Sequence, residues 1–199
     1  MNSMIDRSED RNEAGGLDVS LVVFQGPSAS GKTTLQALLG LPRIVTWTSR
    51  APREGEIDGV DYHFARRETL ERMMREGSML ETSEYRGHLY GTSLASIRET
   101  AEGGQARSIV LDPSGARVAR ELLGERSLLL GVSASRGECE ARLLARGSDE
   151  AQIAARLAGY DEEIAALDGC DLVVRSGEGA LARAGSIVRA LRPLLGAAD

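Results

Sequence analysis

Residues Leu21 to Leu35 read LVVFQGPSASGKTTL. Leu21, Val22, Val23, Phe24 and Gln25 make a short apolar, β-favouring run that stops at Gly26, and Gly31, Lys32 and Thr33 lead into the helix-forming run Leu35, Ala37, Leu38, Leu39. This predicts strand, glycine loop, helix. The spacing fits G-x-x-x-x-G-K-[ST], in which a loop such as Gly26, Ser28, Ala29, Ser30, Gly31, continued by Thr34, turns its backbone N–H groups toward a polyphosphate at a helix N-terminus. Lys32 is then expected to reach the β- and γ-phosphates of ATP, and the Thr33 hydroxyl to ligate Mg2+. Lys32 is also the only lysine among 24 basic residues. A chain that uses arginine everywhere else keeps lysine where a compact ammonium on a slim stem is needed beside phosphate oxygens.

The remaining composition narrows the function classes. A length of 199 residues suits one domain with a small appendage. A net charge of −6 argues against a nucleic-acid polymer as partner and requires arginines to be concentrated locally wherever an anion is held. Cys139 and Cys170 show no CxxC spacing and read as free thiols of a reducing compartment. His63 and His88 are too isolated for a metal site. No apolar run reaches membrane-spanning length, and the polar start MNSMIDRSEDRNEAGG has no signal-peptide core, so a cytoplasmic protein is expected. That start, residues 1–17, is too poor in apolar surface to order itself and reads as a floppy tail.

After the first strand, a short helix closed by Gly40 and Pro42 is expected, then the β-rich run Ile44 to Trp47. The polar segment Thr48 to Phe64 carries Arg50, Arg53 and Tyr62, groups that can converge on an anion because guanidinium forks match phosphate oxygens in pairs. A helical patch at Leu70, Met73 and Met74 precedes Met79 to Tyr85, whose alternation is weak, a turn at Arg86-Gly87, and a returning strand Leu89 to Ser93. These short strands form a small β-rich insert, 49–92. The main sheet resumes with Ser108 to Leu111, ending at Asp112 with a Pro113-Ser114-Gly115 turn, then a helix through Val118, Leu122 and Leu123. Leu128 to Val132 is a fully apolar strand, as expected where helices cover both faces of a parallel sheet. Residues 136–166 read as two helices split by Gly147-Ser148-Asp149, followed by a strand Leu172 to Val174 and a closing helix Leu181 to Leu195. The expected architecture is a three-layer α/β domain over 18–196, with a core of 18–48, 93–135 and 158–196 and the ligand at the carboxyl ends of the strands.

With these segments in place, the chain resembles the guanylate kinases, nucleoside monophosphate kinases of the P-loop class. The resemblance covers about Ser20 to Leu195 and rests on GPSASGKTTL, TSRAPREGEIDGVDYHF, the Glu81 stretch followed by YGTS at Tyr90 to Ser93, and ARLLARGSDEAQIAARL at 141–157. It implies a P-loop kinase fold with a parallel core sheet, an acceptor-binding insert and a helical lid at 136–157, using ATP and Mg2+ on a nucleoside monophosphate such as GMP. Arg50, Arg53, Tyr62 and Tyr90 match positions that hold the acceptor's phosphate. Glu81 and Asp112 match carboxylates that accept from guanine's N1–H and exocyclic amino group, with Thr46, Gly91 and Thr92 beside the base. Arg146 and Arg156 match lid arginines that reach the donor's phosphates, and Arg142 lies one helical turn from Arg146.

The sequence departs from the family pattern at Val110, where an acidic residue near the metal's water shell is usual, at Pro113 and Ser114, at Trp47 in place of a small serine, and at Arg175 in place of an asparagine after the last strand. The stretch between the phosphate loop and Arg50 is also several residues short. The leading expectation is an ATP:GMP phosphotransferase. The alternatives are a kinase of a modified or deoxy purine monophosphate, and a non-catalytic module, which would have no use for Lys32, Thr33 or the lid arginines.

Overall fold

The computed structural model describes residues 17–85, 87–102 and 104–195. The N-terminal stretch read as a tail lies outside them, except Leu17, whose N–H donates to the Leu194 carbonyl. Arg86, half of an expected turn, is likewise outside.

The elements run β1 (Leu21–Gln25), α1 (Lys32–Leu39), β2 (Trp47–Thr48), β3 (His63–Phe64), α2 (Arg67–Arg75), β4 (Met79–Tyr85), β5 (His88–Ser93), α3 (Leu94–Glu102), β6 (Arg107–Val110), α4 (Pro113–Leu123), β7 (Ser127–Ser133), α5 (Arg136–Ala145), α6 (Glu150–Arg156), α7 (Tyr160–Ala165), β8 (Leu172–Arg175) and α8 (Leu181–Leu191). β6, β1, β7 and β8 form one parallel sheet in that order. Because side chains alternate along a strand, β1 serves two cores at once. Val22 and Phe24, with Leu130, Val132 and Val174, pack against Leu35 and Leu39 of α1 and Ala184 and Val188 of α8. Leu21 and Val23, with Ile109 and Leu129, pack against Ile97 of α3 and Ala116, Ala119 and Leu123 of α4. Helices on both faces make the expected three-layer α/β fold, and the glycine loop, Asp112 and Ser176 all fall just beyond the carboxyl ends of the strands.

A second sheet, ordered β3, β2, β5, β4, is mixed: β2 runs parallel to β3 and antiparallel to β5, and β4 pairs antiparallel with β5. The weak alternation of Met79 to Tyr85 has a cause here, a register shift between Met79 and Glu81 that resets which side chains share a face. Gly91 makes the pairing possible: a Cβ there would lie 2.4 Å from Met79 Cε and 2.8 Å from the Glu81 carbonyl oxygen. Helices α5 and α6, in the segment expected as a lid, carry their own small core of Cys139, Leu143, Ile153 and Leu157, packed with Ala134, Ala29 and Tyr160.

The structure corrects several expectations. Pro113-Ser114-Gly115 is the first turn of α4, not a separate turn: Asp112 Oδ1 accepts from the Gly115 N–H at 2.7 Å, and Pro113 occupies a position whose N–H has no helical partner. Residues 136–166 hold three helices, since the second break comes at Leu157–Gly159. The closing helix ends at Leu191, because Pro193 has no N–H to continue the ladder, and Pro193–Leu195 form a 3-10 turn. The run Ile44 to Trp47 contributes only Trp47, which with Thr48 makes β2 and pairs with His63 and Gly91 in the second sheet. Helix α3, for which no expectation was made, follows β5 directly.

Candidate active site

Gly26 sits at φ +134°, and an added Cβ would fall 2.2 Å from the Val132 carbonyl oxygen, so only glycine lets the loop leave β1 this close to β7. Gly31, at φ +104°, is the N-cap of α1 and brings no side chain to cap it. The first N–H groups of the helix are thus left for a ligand to satisfy. Ala29 has φ +62°, the one non-glycine residue among those described in the left-handed region. Lys32 Nζ donates to the carbonyls of Gly26, at 2.6 Å, and Pro27, at 2.8 Å, folding back over its own loop. Burial lowers the pKa of Lys32, while the charges of Glu163 and Cys139 act the other way. Ser30 is buried, whereas Thr33 and Thr34 are exposed on the first turn of α1.

The loop is braced from three sides. Arg142 of α5 donates to the Ala29 carbonyl at 3.0 Å and to the Ser176 carbonyl, and the Ser176 hydroxyl donates to the Ser30 carbonyl. Glu163 of α7 faces the loop: burial raises its pKa, and the Lys32 charge and the Ser28 N–H draw it down. Neither Ser176 nor Glu163 was singled out in the sequence: the departure at the end of the last strand had been read at Arg175, which is exposed, and Glu163 sits in the acidic run Asp161-Glu162-Glu163, which reads as a solvated face.

A second cluster gathers on the insert. Arg50 is clamped by Glu56 through two bonds of 2.8 and 2.9 Å and donates to the Ala51 carbonyl at 2.7 Å; Glu56, and less strongly Tyr90, raise its pKa. Its guanidinium lies 5.6 Å from the Tyr62 ring centroid and 5.8 Å from that of Phe64, and Tyr62 meets Tyr90 edge to face at 6.1 Å. Glu56 also accepts from the Arg53 N–H at 2.7 Å, so one carboxylate sets the loop that presents both arginines. Nothing in the spacing of Arg50 and Glu56 marks this pairing beforehand. Arg53 itself is exposed.

The third cluster brings Glu81 and Asp112 together across the two sheets. Thr92, fully buried, donates to Glu81 Oε1 at 3.1 Å. Burial raises the Glu81 pKa and the neighbouring Asp112 charge raises it further, partly offset by the Thr92 hydroxyl and the Asp112 backbone N–H. One oxygen of Asp112 is taken up by the cap of α4, which leaves the other for a ligand. Thr46 is half-buried, its carbonyl paired with the His63 N–H at 2.8 Å. Trp47 lies against His63 with ring centroids 4.7 Å apart, and its indole nitrogen is buried without a hydrogen-bond partner among the described residues. Val110 is half-buried and packs against the core that α1 and α8 share.

The lid arginines are not drawn onto the loop. Arg146 is exposed at the C-terminal end of α5. Arg156 ends α6 and lines a cleft of about 430 Å3 with Asp112, Ser114, Gly159 and Glu163. Arg142, expected beside them as a donor contact, is turned inward as a strut of the phosphate loop.

The uncapped N-terminus of α1 and the Lys32 ammonium over it fit a polyphosphate. Among the described residues no group of three or more His, Cys, Asp or Glu could hold a metal ion, and the Thr33 hydroxyl is exposed on the first turn of α1. Also among the described residues, no helix is long and apolar enough to cross a membrane.

Comparison with known proteins agrees with this geometry. Residues 18–177 match the family model described as guanylate kinase. The guanylate kinase of Rubrobacter xylanophilus is 39% identical over 160 residues, covering 77% of this chain and 84% of that protein. That of Lactococcus lactis is 36% identical over 160 residues, covering 77% and 78%. The crystal structure of guanylate kinase from Anaplasma phagocytophilum aligns with a TM-score of 0.60 at 27% identity, over 90% of this chain and 87% of that one.

Proposed function

The chain belongs to the guanylate kinase family, and we propose that it transfers the γ-phosphoryl group of ATP to GMP, giving ADP and GDP. The observation that carries the choice of base is the meeting of Glu81 with Asp112. Guanine offers two adjacent donors on its Watson–Crick edge, and a buried carboxylate accepts them; adenine, lacking that pattern, leaves the carboxylate unpaired.

In this reading Arg50, Arg53, Tyr62 and Tyr90 take the acceptor's phosphate, and Thr46, Gly91 and Thr92 border its base. The phosphate loop from Gly26 to Thr34 takes the donor's phosphates. Lys32 leaves the Gly26 and Pro27 carbonyls to bridge them. Arg146 and Arg156, on a lid of 136–157, close over the donor while the insert, 49–92, closes over the acceptor. No side-chain base is needed, because a phosphomonoester with a second pKa of about 6 is mostly dianionic at neutral pH and its oxygen is already a nucleophile. The chain's task is to cancel the repulsion of two polyanions and align them, which the arginines and Lys32 do. Mg2+, held at Thr33, adds charge neutralisation when bound.

The test is a panel of nucleoside monophosphates with ATP and Mg2+, scored for ADP release. GMP should be the best acceptor. ADP release greatest with another purine monophosphate would replace GMP by that compound, a reading that the unpartnered indole N–H of Trp47 favours.

A further inference from the structure

Glu163 is a carboxylate in a costly place. Its Oε2 is buried and has no hydrogen-bond partner among the described residues, and burial raises the group's pKa against the opposing pull of Lys32. A carboxylate kept only to hold α7 would be expected to have both oxygens satisfied. The helix has other anchors: the Tyr160 hydroxyl donates to the Ala134 carbonyl at 2.8 Å, and the Tyr160 ring lies under Arg136 at 5.6 Å. What Glu163 faces is the loop between β1 and α1, where the Lys32 charge and then the Ser28 N–H draw its pKa down. It reaches there from α7, three residues of chain beyond the end of lid helix α6, and it lines the same cleft as Arg156 and Asp112.

We propose that Glu163 is a positioning residue for phosphoryl transfer: from the helix behind the lid it fixes the Ser28 end of the phosphate loop and balances the Lys32 ammonium. Burying a lone ammonium in a nucleotide-free loop is unfavourable, and the carbonyls of Gly26 and Pro27 offset that only in part. The carboxylate supplies the missing countercharge, so that Lys32 stays ionised and in place until phosphates arrive. This rests on the kinase reading above, since the loop is the donor's site in that reading.

Two variants separate the parts. Glu163→Gln keeps an acceptor for Ser28 and removes the charge; Glu163→Ala removes both. ATP binding is measured by calorimetry without acceptor, turnover is measured with GMP, and melting temperature is followed for each variant. Expected is a loss of about threefold in ATP affinity for Gln and about tenfold or more for Ala, with kcat down about tenfold and about a hundredfold. KM for GMP should stay within about twofold, and the Gln melting temperature should match wild type. Wild-type kcat and ATP affinity in both variants would overturn the proposal, as would losses that track a fall in melting temperature and a matching rise in KM for GMP. If the wild type binds ATP yet does not use GMP, the functional reading fails instead, and the ATP-binding arm alone decides on Glu163.

Discussion

The Thr92 hydroxyl on β5 donates to Glu81 Oε1 on β4 at 3.1 Å, holding that carboxylate beside Asp112 at the start of α4, whose charge helps to raise the Glu81 pKa. Two carboxylates are thereby held near one another in a partly buried site, each with one fixed donor: Glu81 has Thr92, and Asp112 has the Gly115 N–H. Repulsion between them is relieved by a ligand that brings N–H groups, and guanine is such a ligand.

Replacing Glu81 by Gln turns an acceptor into a group that also presents donors. With charge-assisted hydrogen bonds at about 1.5 to 3 kcal/mol, kcat/KM for GMP should fall by one to two orders of magnitude at about 1.4 kcal/mol per decade. IMP keeps N1–H but lacks the exocyclic amino group, so the wild type should prefer GMP over IMP and the variant should lose that preference. Equal use of the two by the wild type would remove the guanine assignment and leave the phosphate loop untouched.

The raised pKa of Glu81 adds a pH signature. The carboxyl takes up a proton at higher pH than an ordinary glutamate, near 4.3, and once neutral it resembles glutamine. The advantage of wild type over Glu81→Gln in kcat/KM for GMP should therefore be full at neutral pH and shrink on acidification, earlier than for an unperturbed side chain. Protonation of the nucleotide's own phosphate affects both proteins alike and cancels in the ratio. A ratio flat from neutral pH down to 4 would mean Glu81 does not meet the base.

The phosphate loop was legible because its chemistry is backbone chemistry: glycine spacing and one lysine fix where N–H groups and an ammonium go. The strands around it were legible as apolar runs. Helix α4 was misjudged at its start although Asp112-Pro113 is a cap followed by a first-turn proline, since the Pro-Ser-Gly composition outweighed it. Glu56, Glu163 and Ser176 were not legible: Glu56 acts through the shape of its own loop, which no spacing rule marks, and Ser176 through tertiary packing, meeting Ser30 across 146 residues of sequence. Arg142 and Arg146 show the same limit, identical residues one turn apart of which one is turned into the loop and the other left exposed.

Lys32→Arg keeps the charge but replaces a compact ammonium, now seated between two carbonyls at 2.6 and 2.8 Å, with a wide planar fork. Turnover should nearly vanish while the melting temperature hardly moves. A variant with most of the wild-type rate would sink the role given to the loop.

Glu138 offers a test of fold rather than of chemistry. Its carboxyl is held down at about 2 by the Glu178 N–H, then by the Ser135 hydroxyl and N–H, tying the start of α5 to the segment after β8. A lowered pKa favours the ionised form in the folded state, so this stabilisation is complete above the ordinary glutamate range and is lost as pH falls toward 2. Glu138→Gln should melt below wild type at pH 7, and the gap should narrow steadily on acidification. A gap independent of pH would assign the effect to packing.

The arginines of α5 and α6 should divide by what they touch. Arg142 holds the carbonyls of Ala29 and Ser176, so Arg142→Lys, which cannot span both, should lower the melting temperature and weaken ATP binding in the absence of any acceptor. In the proposed reading Arg146 and Arg156 meet the donor's phosphates only when α5 and α6 close over it, so Arg146→Ala, at an exposed residue, should leave melting near wild type, and alanine at either position should leave ATP binding near wild type too. It should lower kcat by far more than it raises KM. The contrast is measured with one calorimetric titration, one melt and one steady-state series per variant. Loss confined to KM for Arg146→Ala and Arg156→Ala would mean they bind the ground state, and loss of ATP affinity equal to that of Arg142→Lys would mean that the lid is already closed on the loop before the acceptor arrives.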